Sequence, residues 1–141
     1  MAIRTDYILR LIEQCIDFVL MAAGLERAEE VEEELARAVS GWTGLDLELA
    51  MKLPTPSLVA LLSAGEVGAA ERLLIVGQAV AVRCIIVRKH GHAQEAVKLQ
   101  EKAAALIGRA IELRPDYDNE KVQEVLSVLY ATEAQPALQS V

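Results

Sequence analysis

The amino-acid sequence predicts an all-α fold of six to seven mostly antiparallel helices. Its 141 residues include only eight glycines and four prolines, and aromatic residues make up only 4% of the chain. A chain rich in Ala, Leu, Val and Glu with so few helix breakers favours helices over sheets. We expect a single domain, with N-terminal helices in residues 1–45, helical hairpins in 55–131 and a flexible tail in 132–141.

The first predicted helix begins near Asp6 and ends at Gly24. One apolar set recurs at helical spacing: Ile8, Ile12, Cys15, Ile16 and Val19. Polar residues fall on the opposite side: Asp6, Arg10, Glu13, Gln14 and Asp17. The longest uncharged stretch, FVLMAAGL, is too short to span a bilayer, and acidic residues outnumber basic ones on the polar side, unlike in a membrane anchor. A second helix is expected from Glu26 to Ser40, where Gly41 ends it and a glutamate-rich side faces water.

The middle of the chain is predicted to hold a short helical turn, a compact helix and a central helix. The turn covers about 46–52. The compact helix is capped by Thr55, has Pro56 at its first position and closes at Gly65. The central helix, AAERLLIVGQAVAVRCIIVRK, is apolar nearly all round, which is typical of a helix surrounded by others.

Two further helices are expected after Gly91. The first runs from about His92 to Arg114, and Pro115 stops it. The last covers about 119–131, with Asp118 as its cap.

Ala103, Ala110 and Pro115 place two small residues and a proline at a fixed spacing, and RAIELRPDYDN (109–119) completes the pattern. In this, the C-terminal half resembles the tetratricopeptide repeat, whose usual ending it matches closely. The chain departs from the family at Lys98, where the turn glycine would stand. The turn glycine here is Gly91, so the second helix is seven residues longer. The resemblance therefore implies a tetratricopeptide-like hairpin with an extended helix.

The N-terminal stretch DYILRLIEQ resembles the start of a group of small, uncharacterised bacterial helical proteins, which implies a bacterial origin. Cys15 and Cys84 lie far apart in apolar helical runs and form no CxxC pair. This pattern indicates a reducing, cytoplasmic compartment and no intramolecular disulfide.

Charge and motifs argue against several classes of function. The net charge is −7, and six glutamates lie between Glu26 and Glu34, so we expect no binding to nucleic acid. His90 and His92 flank Gly91 without a third ligand nearby in the sequence, and the glutamates are typical of a solvated helix face, so we expect no metal. No nucleophile elbow, phosphate-binding loop or zinc motif is present, and we expect neither an enzyme nor a cofactor.

The favoured function is a protein–protein interaction or scaffold module that forms a homodimer. The chain holds at most two tetratricopeptide-like units, whereas about three are normally stacked before a core is closed. The apolar residues of the first helix exceed what one packed neighbour needs, and the expected contact residues are Tyr7, Leu11 and Phe18, together with the Trp42 region.

The alternative is a small-ligand or lipid-binding helical bundle with a pocket near Arg83. Between Arg72 and Arg88 only Gln78 and Arg83 are strongly polar, and they form a possible buried polar site. Arg83 either pairs with a carboxylate of a neighbouring helix or lines that pocket.

Overall fold

The computed structural model of the chain describes residues 10, 13–14, 16–17, 28–65 and 68–139. Over these residues it contains six numbered α-helices, one short 3₁₀ helix and no strand, which confirms the all-α class and the predicted number of helices. Residues 13–14 and 16–17 are also helical. The six helices are α1 (Ala28–Thr43), α2 (Leu47–Lys52), α3 (Thr55–Ser63), α4 (Ala69–Lys89), α5 (Ala93–Leu113) and α6 (Glu120–Gln139), and the 3₁₀ helix is Pro115–Tyr117.

Helix α1 continues past Gly41, where the sequence predicted its end. It stops instead at Thr43, and Gly44 takes the left-handed conformation with a φ of 73°. The Thr43 hydroxyl donates to the Val39 carbonyl at 2.6 Å and accepts from the Leu45 amide at 3.0 Å. A glycine with helical dihedrals does not end a helix, and the stop falls where the left-handed residue stands.

Three other helix ends also differ from the prediction. Pro54 precedes α3, so Thr55 is its first helical residue rather than its cap. Asn119, not Asp118, caps α6, because its Oδ1 accepts the Val122 amide at 3.0 Å. The backbone of α6 then runs to Gln139, so the segment predicted as a tail from residue 132 is helical up to that residue and includes Pro136. The neighbours of this proline are Ala, Glu and Gln, which are good helix formers.

Helix α4 is the centre of the fold, as its apolar sequence predicted. Of its 21 residues 17 are buried, and the remaining four are all basic: Arg72, Arg83, Arg88 and Lys89. No helix among the described residues combines the length and hydropathy that crossing a membrane requires.

Helices α4 and α5 form an antiparallel hairpin with the most extensive contact in the described part of the chain. A three-residue loop joins them. The Gly91 amide donates to the Arg88 carbonyl at 3.0 Å and the His92 amide to that of Val87 at 2.9 Å, while Gly91 has a φ of 82°. This is the glycine-based ending of a helix that reverses the chain sharply.

Small residues line the seam between the two helices at intervals of seven. Ala70, Gly77 and Cys84 lie on α4, and Ala96, Ala103 and Ala110 lie on α5; all six are buried. The Cys84 thiol donates to the Ala96 carbonyl at 3.2 Å near the loop. Further along, a methyl group at Gly77 would stand 2.9 Å from Ile107 Cγ1. The two helices therefore approach each other closely both near the loop and at Gly77.

The close approach predicts opposite effects for two glycine-to-alanine substitutions. Gly77→Ala should lower the free energy of unfolding by about 1–3 kcal/mol, because the added methyl overlaps Ile107 and lies 3.2 Å from Leu106 Cβ. This strain exceeds the gain of about 1 kcal/mol that alanine brings to a helix.

Gly108→Ala is the matched control, since its added methyl would have no atom within 4 Å. It should raise the free energy of unfolding by about 0.5–1 kcal/mol. Urea denaturation measures both changes, and a Gly77→Ala protein as stable as Gly108→Ala would contradict the close seam.

Candidate functional site

Arg83 joins the central helix to two of its neighbours. Its Nε and Nη2 donate to both carboxylate oxygens of Glu32 on α1, with Nη2 at 3.0 Å from Oε1, and Nη2 also donates to Glu48 on α2. The side chains of Arg83 and Glu32 are 21% and 18% exposed, whereas that of Glu48 is 58% exposed. The bidentate ion pair between Arg83 and Glu32 is therefore the more buried part of this cluster, and Glu48 lies on its solvent side.

The charges of this cluster stabilise one another. The hydrogen bond to Glu32, together with the bond to Glu48, raises the pKa of Arg83 above its usual value, against the opposing effect of burial. The hydrogen bond from Arg83 holds the pKa of Glu48 below its usual value. Arg83 therefore contacts carboxylates of two neighbouring helices, which is the first of the two arrangements considered from the sequence.

Gln78 does not share a site with Arg83. Five residues separate them, which is about 140° around an α-helix, so they point to different sides of α4. Gln78 is fully buried, and neither its Nε2 nor its Oε1 has a hydrogen-bond partner in the described structure. A buried amide without partners costs about 1–3 kcal/mol of stability. The structure therefore separates the two residues that the sequence grouped as one possible polar site.

Lys102 is a buried cation that sequence reasoning missed. Its Nζ donates to three carbonyls at the C-terminal end of α2, those of Ala50 at 3.1 Å, Met51 at 2.7 Å and Leu53 at 2.5 Å. Burial holds the pKa of Lys102 below its usual value. The signal was available in the sequence, because Lys102 falls on the apolar side of α5 between Leu99 and Leu106.

A second polar cluster fixes the connector between α5 and α6 to the start of α4. The buried Tyr117 hydroxyl donates to Glu71, and Arg114 Nη1 lies 3.4 Å from the same carboxylate. Arg114 also donates through Nε and Nη2 to Asp116, at 3.1 and 3.0 Å, and its guanidinium lies 5.0 Å from the Tyr117 ring centroid. These connector residues fall within RAIELRPDYDN (109–119), a segment that the sequence pattern singled out without revealing its partner on α4.

Tyr117 also borders an open cleft of about 290 Å³. The cleft lies where residues 13 and 16 face the connector and the start of α6, and the ion pair between Lys121 and Asp17, at 3.7 Å, stands beside it. Neither Gln78 nor Arg83 borders this cleft. The lining residues are Glu13, Ile16, Asp116, Tyr117, Asn119, Glu120 and Lys121.

The predicted contact residues of the homodimer fall largely outside the described structure. Tyr7, Leu11 and Phe18 lie outside the described residues, as does Cys15, and Trp42 is placed only by its backbone near the end of α1. His90 and His92 are exposed on either side of Gly91. Within the described residues no group of three or more His, Cys, Asp or Glu side chains is arranged to hold a metal ion.

Comparisons of the chain with protein families, with curated proteins and with solved structures find no match. The candidate sites are therefore defined by their own geometry: the Arg83 cluster, the Lys102 contact with α2, and the cleft beside Tyr117.

The Arg83 cluster predicts a clear loss of stability in Arg83→Ala. The substitution leaves the largely buried Glu32 carboxylate without its partner, and we expect a loss of about 2 kcal/mol, between the values for surface and fully buried pairs. Arg109→Ala is the control, because its pair with Glu112 is exposed and should contribute less than about 1 kcal/mol. Thermal unfolding compares the two, and equal melting temperatures for both variants would contradict a structural role for Arg83.

The contact between Tyr117 and Glu71 predicts that the free energy of unfolding depends on pH. Burial and the bond to Glu71 raise the pKa of Tyr117 above its usual value, so the unfolded chain loses the phenol proton first as pH rises. The stability that the phenol contributes is therefore complete below about pH 10 and is lost as pH rises beyond it.

Tyr117→Phe should cost about 1–3 kcal/mol at pH 7, because Glu71 loses a donor, and the difference from wild type should shrink above pH 10. Urea denaturation between pH 7 and pH 11 measures it. A difference that stays constant over this range would show that the phenol does not keep its proton in the folded state.

Proposed function

We propose that the protein is a helical interaction module that pairs with a second copy of itself through its first predicted helix. The buried ionisable groups of the described residues support a role without catalysis, because they hold helices together: Arg83 contacts α1 and α2, Lys102 contacts α2, and Glu71 contacts the connector. We also propose a reducing compartment, in line with Cys84 as a buried thiol of the α4–α5 seam.

The observation that carries the dimer proposal is the contrast between Ile16 and Gln14. Ile16 is only 2% exposed and borders the cleft with Tyr117, so this side of the segment packs on its own chain. Gln14 is exposed, two residues earlier, and so is Arg10, one turn before it. The chain therefore leaves the side at Gln14 open to solvent.

Sequence spacing connects this open side with the expected contact residues. Leu11 precedes Gln14 by three residues and Phe18 follows it by four, and these are the intervals at which helical residues are surface neighbours. Tyr7 precedes Gln14 by seven, about two turns. If the predicted helix is continuous, a period of about 100° per residue would place all three within roughly 40° of the side opposite Ile16. Apolar residues beside an exposed glutamine favour a partner outside the chain, and a two-fold pair with a second copy is the simplest one.

The dimer is tested by Leu11→Glu, which places a charge among apolar contacts and should shift the protein to a monomer. Sedimentation equilibrium at micromolar concentration should give wild type twice the 15.3 kDa of one chain and the variant a single chain. Val97→Glu, the control, changes an exposed apolar residue of α5 in the same way and should remain a dimer. A wild-type mass near one chain would overturn the proposal, and a monomeric Val97→Glu would place the contact elsewhere.

A further inference from the structure

The cleft beside Tyr117 combines an apolar floor with two carboxylates, those of Glu13 and Glu120, that no charge of the described residues neutralises. Ile16 and Tyr117 form the floor and are 2% and 5% exposed. Glu13 and Glu120 are exposed and form no ion pair or hydrogen bond with another described side chain. An occupant that complements this cleft has an apolar stem and a cationic end.

The other charges at the cleft are already paired. Asp116 is bound by Arg114 at 3.0 Å, and Lys121 lies 3.7 Å from Asp17. The carboxylates of Glu13 and Glu120 therefore leave two negative charges at the opening. The N-terminus of α6 lies here as well, but its partial positive charge is only about half a unit, so the field remains negative.

Size and geometry select among cationic occupants. A volume of about 290 Å³ lies at the lower limit of ligand pockets, so it suits one side chain better than a whole cofactor. A guanidinium carries several donors in one plane and can reach two carboxylates of different segments, as Arg83 does with Glu32 and Glu48, whereas an ammonium acts as a point charge. The Tyr117 ring already accepts the guanidinium of Arg114 at 5.0 Å, which shows the kind of contact that a second arginine would make.

We propose that this cleft binds an arginine side chain of a protein partner, held between Glu13 and Glu120 with its stem on Ile16 and Tyr117. The inference rests on the proposed interaction function and adds the chemistry of a partner. It uses the side of the first predicted helix that faces its own chain, whereas the proposed dimer uses the opposite side.

The test is an NMR titration of the ¹⁵N-labelled protein with the peptide acetyl-Gly-Ala-Arg-Ala-Gly-amide. We expect saturable shifts at Ile16, Tyr117 and Lys121, with a dissociation constant on the order of millimolar for a single anchoring side chain. The same peptide with citrulline, which keeps the shape of arginine without its charge, should give no saturable shift.

The double variant Glu13→Gln with Glu120→Gln should bind the arginine peptide about fivefold to tenfold more weakly, because two carboxylate contacts are lost. Both residues are exposed, so its melting temperature should stay close to wild type. Glu101→Gln, which removes the same charge from an exposed position on α5, should change the affinity by less than about twofold.

Three outcomes of the peptide titrations would overturn the inference: no saturable shift at the cleft, equal affinity for the citrulline peptide, or unchanged affinity in the double variant.

Spermidine is titrated in parallel, and shifts at the same residues with equal or higher affinity would assign the cleft to a free polyamine instead. Dimerisation is read from the mass in sedimentation equilibrium, whereas peptide binding is read from chemical shifts at the cleft. A protein that does not dimerise is therefore distinguishable from one whose cleft does not bind arginine.

Discussion

The close approach of α4 and α5 is the constraint on which the rest of the fold depends. Helix α4 is buried on nearly every side, and only its basic residues reach the surface. A helix in that position requires neighbours on all sides. The first of these neighbours is α5, which the three-residue loop turns back along α4. Because small residues occupy the seam, Leu106 and Ile107 sit directly over the α4 backbone at Gly77. Close packing of this kind depends on shape, so a single extra methyl group matters.

Around this hairpin, arginines of α4 hold the other helices. Arg72 donates to the carbonyls of Leu62 and Ala64 at the end of α3, at 3.3 and 2.6 Å. Arg83 reaches the carboxylates of α1 and α2, and Arg88 reaches Gln100 on α5 at 2.8 Å and the Leu129 carbonyl on α6 at 3.3 Å. The apolar part of α4 thus provides most of the burial, while its long polar side chains determine where each neighbour lies. This division explains how a helix with so little amphipathic character still orders its surroundings.

The sequence predicted the helices well because their signals are local. The apolar run of α4, the glycine at 91 and the proline at 115 each act within a few residues, and the bounds of α4 agree with the predicted segment. The polar contacts were harder to predict, since Lys102 and Ala50, or Glu71 and Tyr117, lie far apart in the chain and meet only through the hairpin. A carboxylate partner for Arg83 was one of the two arrangements considered from the sequence, but its identity as Glu32 depends on how α1 crosses α4. The close contact at Gly77 could have been predicted from the interval of seven between the small residues Ala70, Gly77 and Cys84.

The position of Lys102 gives α2 an unusual dependence on a distant part of the chain. Six residues are too few to form a stable helix alone, because the cost of nucleation is spread over very few hydrogen bonds. Its last carbonyls are held instead by one ammonium group that belongs to α5. The order of α2 therefore depends on the hairpin, through Lys102 and also through the bond from Arg83 to Glu48. Hydrogen exchange of the α2 amides would report docking onto the hairpin rather than the strength of the helix itself. Helix α2 can therefore unfold locally while the α4–α5 hairpin stays folded, but α2 cannot stay folded once the hairpin unfolds.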